Sequence, residues 1–450
     1  MGQSSWRPRE STLGSHPVRV LAICLFSALF ANCATHYASS PFSPKSINDV
    51  RFRDRAQSKY DNDVRVTTAV PTAGETEEVF GANLIGREIQ PVWLKVENHS
   101  DRTYYLLSVV VDPNHYSPNE ASYAVHGGLG KAEQKEMEYR FRKLAFRNPI
   151  APDTAVSGFV FTNLDEGEKV VQVDLMGERR LKHFTFFVPI PGMRVDYRRV
   201  DFEAMYPADE IVELSREELK VALEDLPCCT TNEGGTKSGD PLNLVVIGEF
   251  QDVAAAFARR GWLPVEETYS SAVWKTIKSY LFGSRYRYSP ISPLYFLGRD
   301  QDFARQKPRH DIHERNHLRL WYTSMRFDGK PVFVGQISRD IGVRFTMKTW
   351  PPVTHKIDPD VDEARQALIE DLVFSNTISS VGFVMGVGPA TASRPRENLT
   401  GDPYFTDGLR AVILLDPGPI PLDRIQSLHW ETPNTYRFGG FGEDSVSDDR

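Results

Sequence analysis

Between residues 63 and 195 the apolar positions fall in short runs rich in β-branched and aromatic side chains, at 64–67, 91–96, 104–107, 158–162, 170–175 and 183–188. Turn formers such as Glu97-Asn98-His99-Ser100, Asp112-Pro113-Asn114 and Asp165-Glu166-Gly167 separate them, which is the spacing of a β-sandwich. One stretch, 131–144, has helical character instead. Past residue 240 the pattern changes. Residues 242–248 form an apolar strand, 251–260 repeat apolar residues at helical spacing, and Gly261-Trp262 closes that helix. Strands are expected again at 294–297, 317–322, 332–337 and 411–415, with a helix over 360–373. Strands mixed with helices predict an α/β mixed sheet over 241–417, making the whole chain an α+β multidomain protein. Residues 196–240 join the halves as a charged helix, 216–224, and a Gly/Thr/Asn-rich linker, 230–239.

The N-terminus follows neither pattern. Arg7, Arg9 and Arg19 precede an 11-residue apolar run, 20–30. Such a run is too short to span a bilayer and has the length of a signal-peptide core, which predicts export and assigns 1–32 to a signal peptide. It ends in Phe30-Ala31-Asn32-Cys33-Ala34-Thr35, which resembles the lipobox of bacterial lipoproteins, although Asn32 stands where Gly, Ala or Ser is usual. The resemblance implies acylation of Cys33 and a stable membrane anchor of more than one acyl chain. Ala34 after the cysteine favours the periplasmic face of the outer membrane. Residues 33–62 then read as a solvated tether, and 418–450 as a tail that is disordered from Phe438 onward.

Composition narrows the function. A net charge of −7 argues against a nucleic-acid partner, whose binding face would show as a basic excess. Four cysteines, Cys24, Cys33 and the adjacent Cys228 and Cys229, give no disulfide framework; two ordinary thiols in a linker are expected for the pair, with a redox-sensitive vicinal disulfide as the alternative. Gly386-Val387-Gly388 lacks the third glycine of a dinucleotide-binding turn, and no nucleophile elbow, His-Glu-x-x-His helix or phosphate-binding loop occurs.

The polar constellation is richer. Four of 11 histidines, His310, His313, His317 and His355, fall within 46 residues, beside Asp311, Asp340, Asp358, Asp360 and Asp362. Imidazole and carboxylate suit a Zn or Mn site, while Arg319, Arg339 and His355 suit a phosphate or carboxylate. The third account is structural, with Arg319, Arg339 and Arg344 pairing with aspartates. Alternation over His317-Leu318-Arg319-Leu320-Trp321 puts His317, Arg319 and Trp321 on one side of a strand and parts His317 from His313. The catalytic candidates are His317, Arg319, Asp340, His355 and Asp358, with no assigned cofactor. Ser338 is a weaker candidate nucleophile, and Asp407 reads either as a site carboxylate or as the Asx residue of a turn.

Two further resemblances follow. Lys95-Val96-Glu97-Asn98 before aromatic strands is similar to immunoglobulin-like modules of exported proteins. Leu244-Val245-Val246-Ile247-Gly248 with Gly261-Trp262, Leu297-Gly298-Arg299-Asp300-Gln301-Asp302 and His317-Leu318-Arg319-Leu320-Trp321 resemble the LssY C-terminal family. So do Val334-Gly335 with Ser338-Arg339-Asp340-Ile341-Gly342, the stretch 354–362, and Tyr404-Phe405-Thr406-Asp407-Gly408. The family's name links it to a type I secretion locus, and it often accompanies membrane or phosphatase-like domains. This implies an envelope or secretion-system partner and transports no established activity to this chain. Three functions stay open: a lipid-anchored envelope protein in transport, secretion or envelope maintenance; a surface-tethered hydrolase; and a sandwich that binds a glycan or peptide, which requires an exposed aromatic patch.

Overall fold

The computed structural model describes residues 42–190, 195–265, 291–308, 315–345 and 353–433. The signal segment, Cys33, His310, His313 and residues 434–450 lie outside them. Among the described residues no helix is long and apolar enough to cross a membrane.

The first region is built from two antiparallel sheets. One runs β1 (Gln57–Asp61), β2 (Val64–Ala69), β3 (Ile89–Asn98), β5 (Thr154–Asn163); the other runs β4 (Tyr105–Leu106), β6 (Glu168–Gly177), β7 (Arg180–Pro189). Strand alternation sends Val64, Val66, Val92, Leu94 and Val160 toward Val171, Val173, Leu175, Phe184 and Phe186, forming one shared core. The opposite face of the first sheet is also apolar, with Trp93, Phe159 and Phe161 outward, and helices cover it. These are α1 (Ala73–Phe80), α2 (Pro118–Val125) and α3 (Lys131–Leu144), which contribute Phe80, Ala121, Met137 and Phe141. Thr72 and Glu75 form a capping box at the start of α1, and Gly81, at φ +67°, ends it in the left-handed conformation.

Three expectations change here. The strand order puts β3 beside β2 in one sheet, whereas the immunoglobulin order places the third strand in the opposite sheet. The expected tether is folded well before residue 62. Phe52 is fully buried, 5.6 Å from the Phe159 ring and 6.0 Å from that of Trp93, and residues 57–61 form β1. The exposed tyrosines, Tyr60, Tyr105, Tyr123 and Tyr139, stand on four different elements, β1, β4, α2 and α3.

The second region centres on a ten-stranded sheet. Its path is β12 (Leu263–Pro264), β15 (Phe303–Pro308), β16 (Arg315–Phe327), β17 (Lys330–Phe345), β11 (Leu244–Ile247), β22 (Arg410–Leu415), β19 (Ile378–Val384), β23 (Gln426–Ser427). β8 (Val212–Leu214) joins β16, and β18 (Val353–Ile357) joins β17. Most pairings are antiparallel; β11 with β22, β16 with β8 and β19 with β23 are parallel. The region is therefore mainly β, with few helices. Leu318, Leu320, Phe333, Leu244, Val246 and Ile413 face one side, where α5 (Phe250–Arg259) and α6 (Val361–Val373) close over them.

Residues 196–240 are not a solvated connector. α4 (Arg216–Glu224), with its Ser215–Glu218 capping box, buries Leu219 and Leu223 against Val245, Val412 and Leu414 on the sheet's other face. β9 (Cys229–Thr231) and β10 (Ser238–Pro241) pair with each other, and β9 pairs with β13 (Tyr295–Phe296), which continues to β14 (Arg299–Asp300). Only the tip between β9 and β10 has the polar, exposed character expected of a linker. Cys228 and Cys229 are joined as a vicinal disulfide rather than standing as two thiols.

The two regions meet through charge. Arg259 of α5 binds Asp174 of β6 through both guanidinium tips, at 2.7 and 3.1 Å, and Asp174 also holds His183 at 2.7 Å. Glu168 of β6 accepts from Tyr197 and, at 3.1 Å, from Arg198, and lies 3.9 Å from Arg305 of β15. Both carboxylates are buried, which makes this part of the contact geometrically exacting, and Phe187 of β7 packs beside it on the second region's core.

Candidate functional site

The site begins with a violation of apolar patterning. On β16, Leu318, Leu320 and Tyr322 enter the main core, so Arg315, His317, Arg319 and Trp321 must face the other way. The register sets His317 between Gln306 of β15 and Ser338 of β17, and Arg319 opposite Gln336. With Asp340 two residues beyond Ser338, the result is a polar row three strands wide, and every member is buried.

Hydrogen bonds tie the row together. His317 Nε2 and Asp340 Oδ2 are 2.6 Å apart. Arg319 donates to Gln336 Oε1 at 2.8 Å and to the Ser292 carbonyl at 3.0 Å, and Arg315 donates to Gln306. Burial dominates the electrostatics. It holds the His317 imidazole below its usual range against the opposing pull of Asp340, and lowers Arg315 to about 10. Beside Arg319, burial raises Asp240 of β10, which Asn398 binds at 3.2 Å.

Three of the five candidates, His317, Arg319 and Asp340, thus share one row. Asp358 does not join it. Its amide donates to the Arg339 carbonyl at 2.8 Å and its carboxylate accepts from the Asp360 amide at 3.1 Å, which makes it a turn residue leading into α6. The backbone of His355 pairs with Val343 at the end of β17; its side chain lies outside the described residues. Arg339 points to the opposite face, toward Asn316 at 3.3 Å and Glu363 at 3.5 Å. Among the described residues no group of three or more His, Cys, Asp or Glu is placed to hold a metal ion.

Two constellations are not assembled by the sequence reading, although it names Asp362 and Asp407 singly. Asp362, Arg365, Thr406 and Asp407 form one. Arg365 grips Asp407 at 2.7 and 2.9 Å, and Asp362 accepts from the Thr406 hydroxyl at 2.8 Å and the Asp407 amide at 2.5 Å. Burial pushes Asp362 up to about 6. Asp407 also accepts from the Leu409 amide at 2.9 Å, so it is both the Asx residue of the turn and an ion-pair partner. The other is Arg410, whose guanidinium donates to the carbonyls of Leu223, Leu226, Pro227, Leu242 and Gly386 and, among the described residues, meets no carboxylate. Leu223 and Leu226 lie at the end of α4, where orphan carbonyls attract a cation. Gly386, at φ +131°, must be glycine: a Cβ there would sit 2.5 Å from Arg410 Nη1.

Open space lies elsewhere. A cleft of about 930 Å³ at the carboxyl end of β11 is lined by Phe202, Glu249, Phe250, Asp252, Tyr322 and Arg326. Another of about 520 Å³ runs along the join between the regions, past Asp165, Glu168, Asp174, Arg259 and Trp262. The buried row lines neither.

With the row, the Asp362–Asp407 cluster and the Arg410 cage in place, the quoted sequence stretches are seen to build the ten-stranded sheet, its locks and, at Arg299–Asp300, the edge of the smaller sheet. Residues 222–409 match the family model of the LssY C-terminus. No curated protein matches the chain. The LssY C-terminal match takes in under half of the chain and stops at Leu409, immediately before β22, the strand that joins β11 to β19.

Proposed function

We propose that this chain is an envelope lipoprotein, held by a lipid on Cys33 at the periplasmic face of the outer membrane. It carries its LssY C-terminal region on a helix-covered β-sheet body and works with an envelope or secretion-system partner in transport, secretion or envelope maintenance. The observation that carries the noncatalytic form of this reading is the burial of the polar row. His317 is paired with Asp340, Arg319 is held by Gln336 and the Ser292 carbonyl, and the two clefts described above are lined by other residues. A row of this kind fixes strand register, because buried polar groups must meet their partners across the strands. The hydrolase alternative draws on the same His317 and Asp340, with Ser338 across the strand from His317.

Mass spectrometry of the mature N-terminus tests the anchor. Acylated Cys33 is expected, with Cys33→Ala moving the protein from the membrane to the soluble fraction; an unmodified Cys33 or another start defeats the reading. The noncatalytic form is tested with nitrophenyl esters and phosphates. No turnover is expected, and turnover lost in both His317→Gln and Asp340→Asn would install the hydrolase in its place.

A further inference from the structure

The two cysteines of the vicinal disulfide are buried unequally. Cys228 is half-buried, whereas Cys229 is buried, with its Sγ 3.7 Å from the Tyr404 hydroxyl. The main chain around the pair is held on both sides. The Cys228 carbonyl accepts from the Leu242 amide at 2.9 Å, Arg410 grips the Leu226 and Pro227 carbonyls just upstream, and Cys229 pairs with Pro241 just downstream. The more exposed cysteine therefore sits on a fixed backbone, and the sulfur of the buried one has a hydroxyl beside it to stabilise it as the leaving group.

We propose that Cys228–Cys229 is a directional thiol-exchange site, taking a small-molecule or protein thiol at Cys228. The attacking thiolate forms a mixed disulfide with Cys228 Sγ and the Cys228–Cys229 bond breaks. Its electron pair departs on Cys229 Sγ, which is reduced to a thiolate as the incoming sulfur is oxidised to the disulfide level. The Tyr404 hydroxyl donates a hydrogen bond to that thiolate, which solvent then protonates. A dithiol reductant completes the reduction: its second thiolate attacks the mixed disulfide, closes the reductant's own disulfide and releases Cys228 as a thiolate. Exchange rates depend on which sulfur is attacked and on how well the leaving thiolate is stabilised, and here access and stabilisation select opposite members of the pair. Burial raises the Tyr404 phenol above its usual range, so it stays a donor at neutral pH. This site is independent of the lipid anchor and of the buried row, and would stand if either were reassigned.

The test uses the full-length chain purified in detergent, with reduced glutathione as the thiol and iodoacetamide as the trap. Trypsin cuts after Lys220 and Lys237, which isolates Cys228 and Cys229 on a peptide with no other cysteine. Without glutathione, neither cysteine of the folded protein is labelled. Brief exposure places glutathione on Cys228 and the trap on Cys229. Tyr404→Phe slows adduct formation about three-fold, the effect of one pKa unit on the leaving thiolate at a Brønsted slope of about 0.5. In single variants, Cys228 of Cys229→Ser is alkylated faster than Cys229 of Cys228→Ser, which keeps the test sound even if Tyr404→Phe fails to fold. Two labelled thiols without reductant, a glutathione adduct on Cys229, or equal alkylation of the two single variants would each overturn the proposal.

Discussion

The two regions bury different things. In the first, the interior between and above the sheets is aromatic and β-branched, and of its buried charges Glu168, Lys169, Asp174 and Lys182 belong to β6 and β7, while Asp112 stands in a loop and binds Asn163 at the end of β5. In the second, five arginines, Arg305, Arg315, Arg319, Arg365 and Arg410, are buried within or against the sheet. An apolar interior tolerates any side chain of about the right volume. A buried guanidinium does not, because each must find a particular set of oxygens or leave a charge stranded. The first region is thus specified by volume and the second by hydrogen-bond geometry.

Arg410→Met should break that contrast most sharply. It leaves five carbonyls unsatisfied and is expected to destabilise the second region by at least about 3 kcal/mol, read as a fall in the urea midpoint. Phe159→Leu, at an equally buried position of the first region, should cost only about 1 kcal/mol. Equal losses in the two variants would erase the distinction.

Next in size is the join. Arg259→Ala leaves Asp174 with His183 as its remaining side-chain partner and is expected to cost about 2–3 kcal/mol, splitting one thermal transition into two in calorimetry. A single transition in the variant would mean that the regions unfold together without this pair.

The charged interior should also respond to pH. Folding holds His317 below its ordinary value, so the native state binds fewer protons than the unfolded chain below about pH 6.5, and its stabilising contribution is lost on acidification. Asp302, which accepts from the Tyr322 amide at 2.7 Å, is raised by burial to about 6 and has the opposite sign. Its contribution is present below about pH 4 and disappears as pH rises through about 6. His317→Gln should flatten the acid side of the stability profile and Asp302→Asn the slope between about pH 4 and 6. Unchanged profiles would show that neither group titrates across folding.

The smallest expected effect is Thr72→Ala, about 1 kcal/mol from loss of the α1 cap, confined to the first region.

The same contrast explains what could be read in advance. Strands such as β3, β6 and β22 announce themselves because their buried faces are apolar, and the expected helix at 131–144 coincides with α3. β15 does not, because Arg305 and Gln306 occupy buried positions in it, and a periodicity of apolar residues cannot register a buried arginine. α1 was missed although Thr72 and Glu75 carry its capping signal, since it is only eight residues long. Alternation on β16 gave the shared side of His317 and Arg319, and Asp340 lay in a recognisable stretch of β17. Asp358 was grouped with them by residue type alone, a criterion blind to the turn that takes it away. The Arg410 cage had no local signal, since its oxygens belong to backbone up to 187 residues distant.

β22 has a consequence for the order of events in a cell. It is made after β11, β16, β17 and β19, yet it lies between β11 and β19 in the middle of the sheet and brings Arg410 to the carbonyls that close α4. A nascent chain emerging N-terminus first can complete the first region while the second still lacks its central strand. Until residues 410–415 arrive, one flank of β11 offers an open edge to any other chain nearby. Premature termination just short of residue 410 would therefore yield a sticky half-sheet rather than a slightly shorter protein.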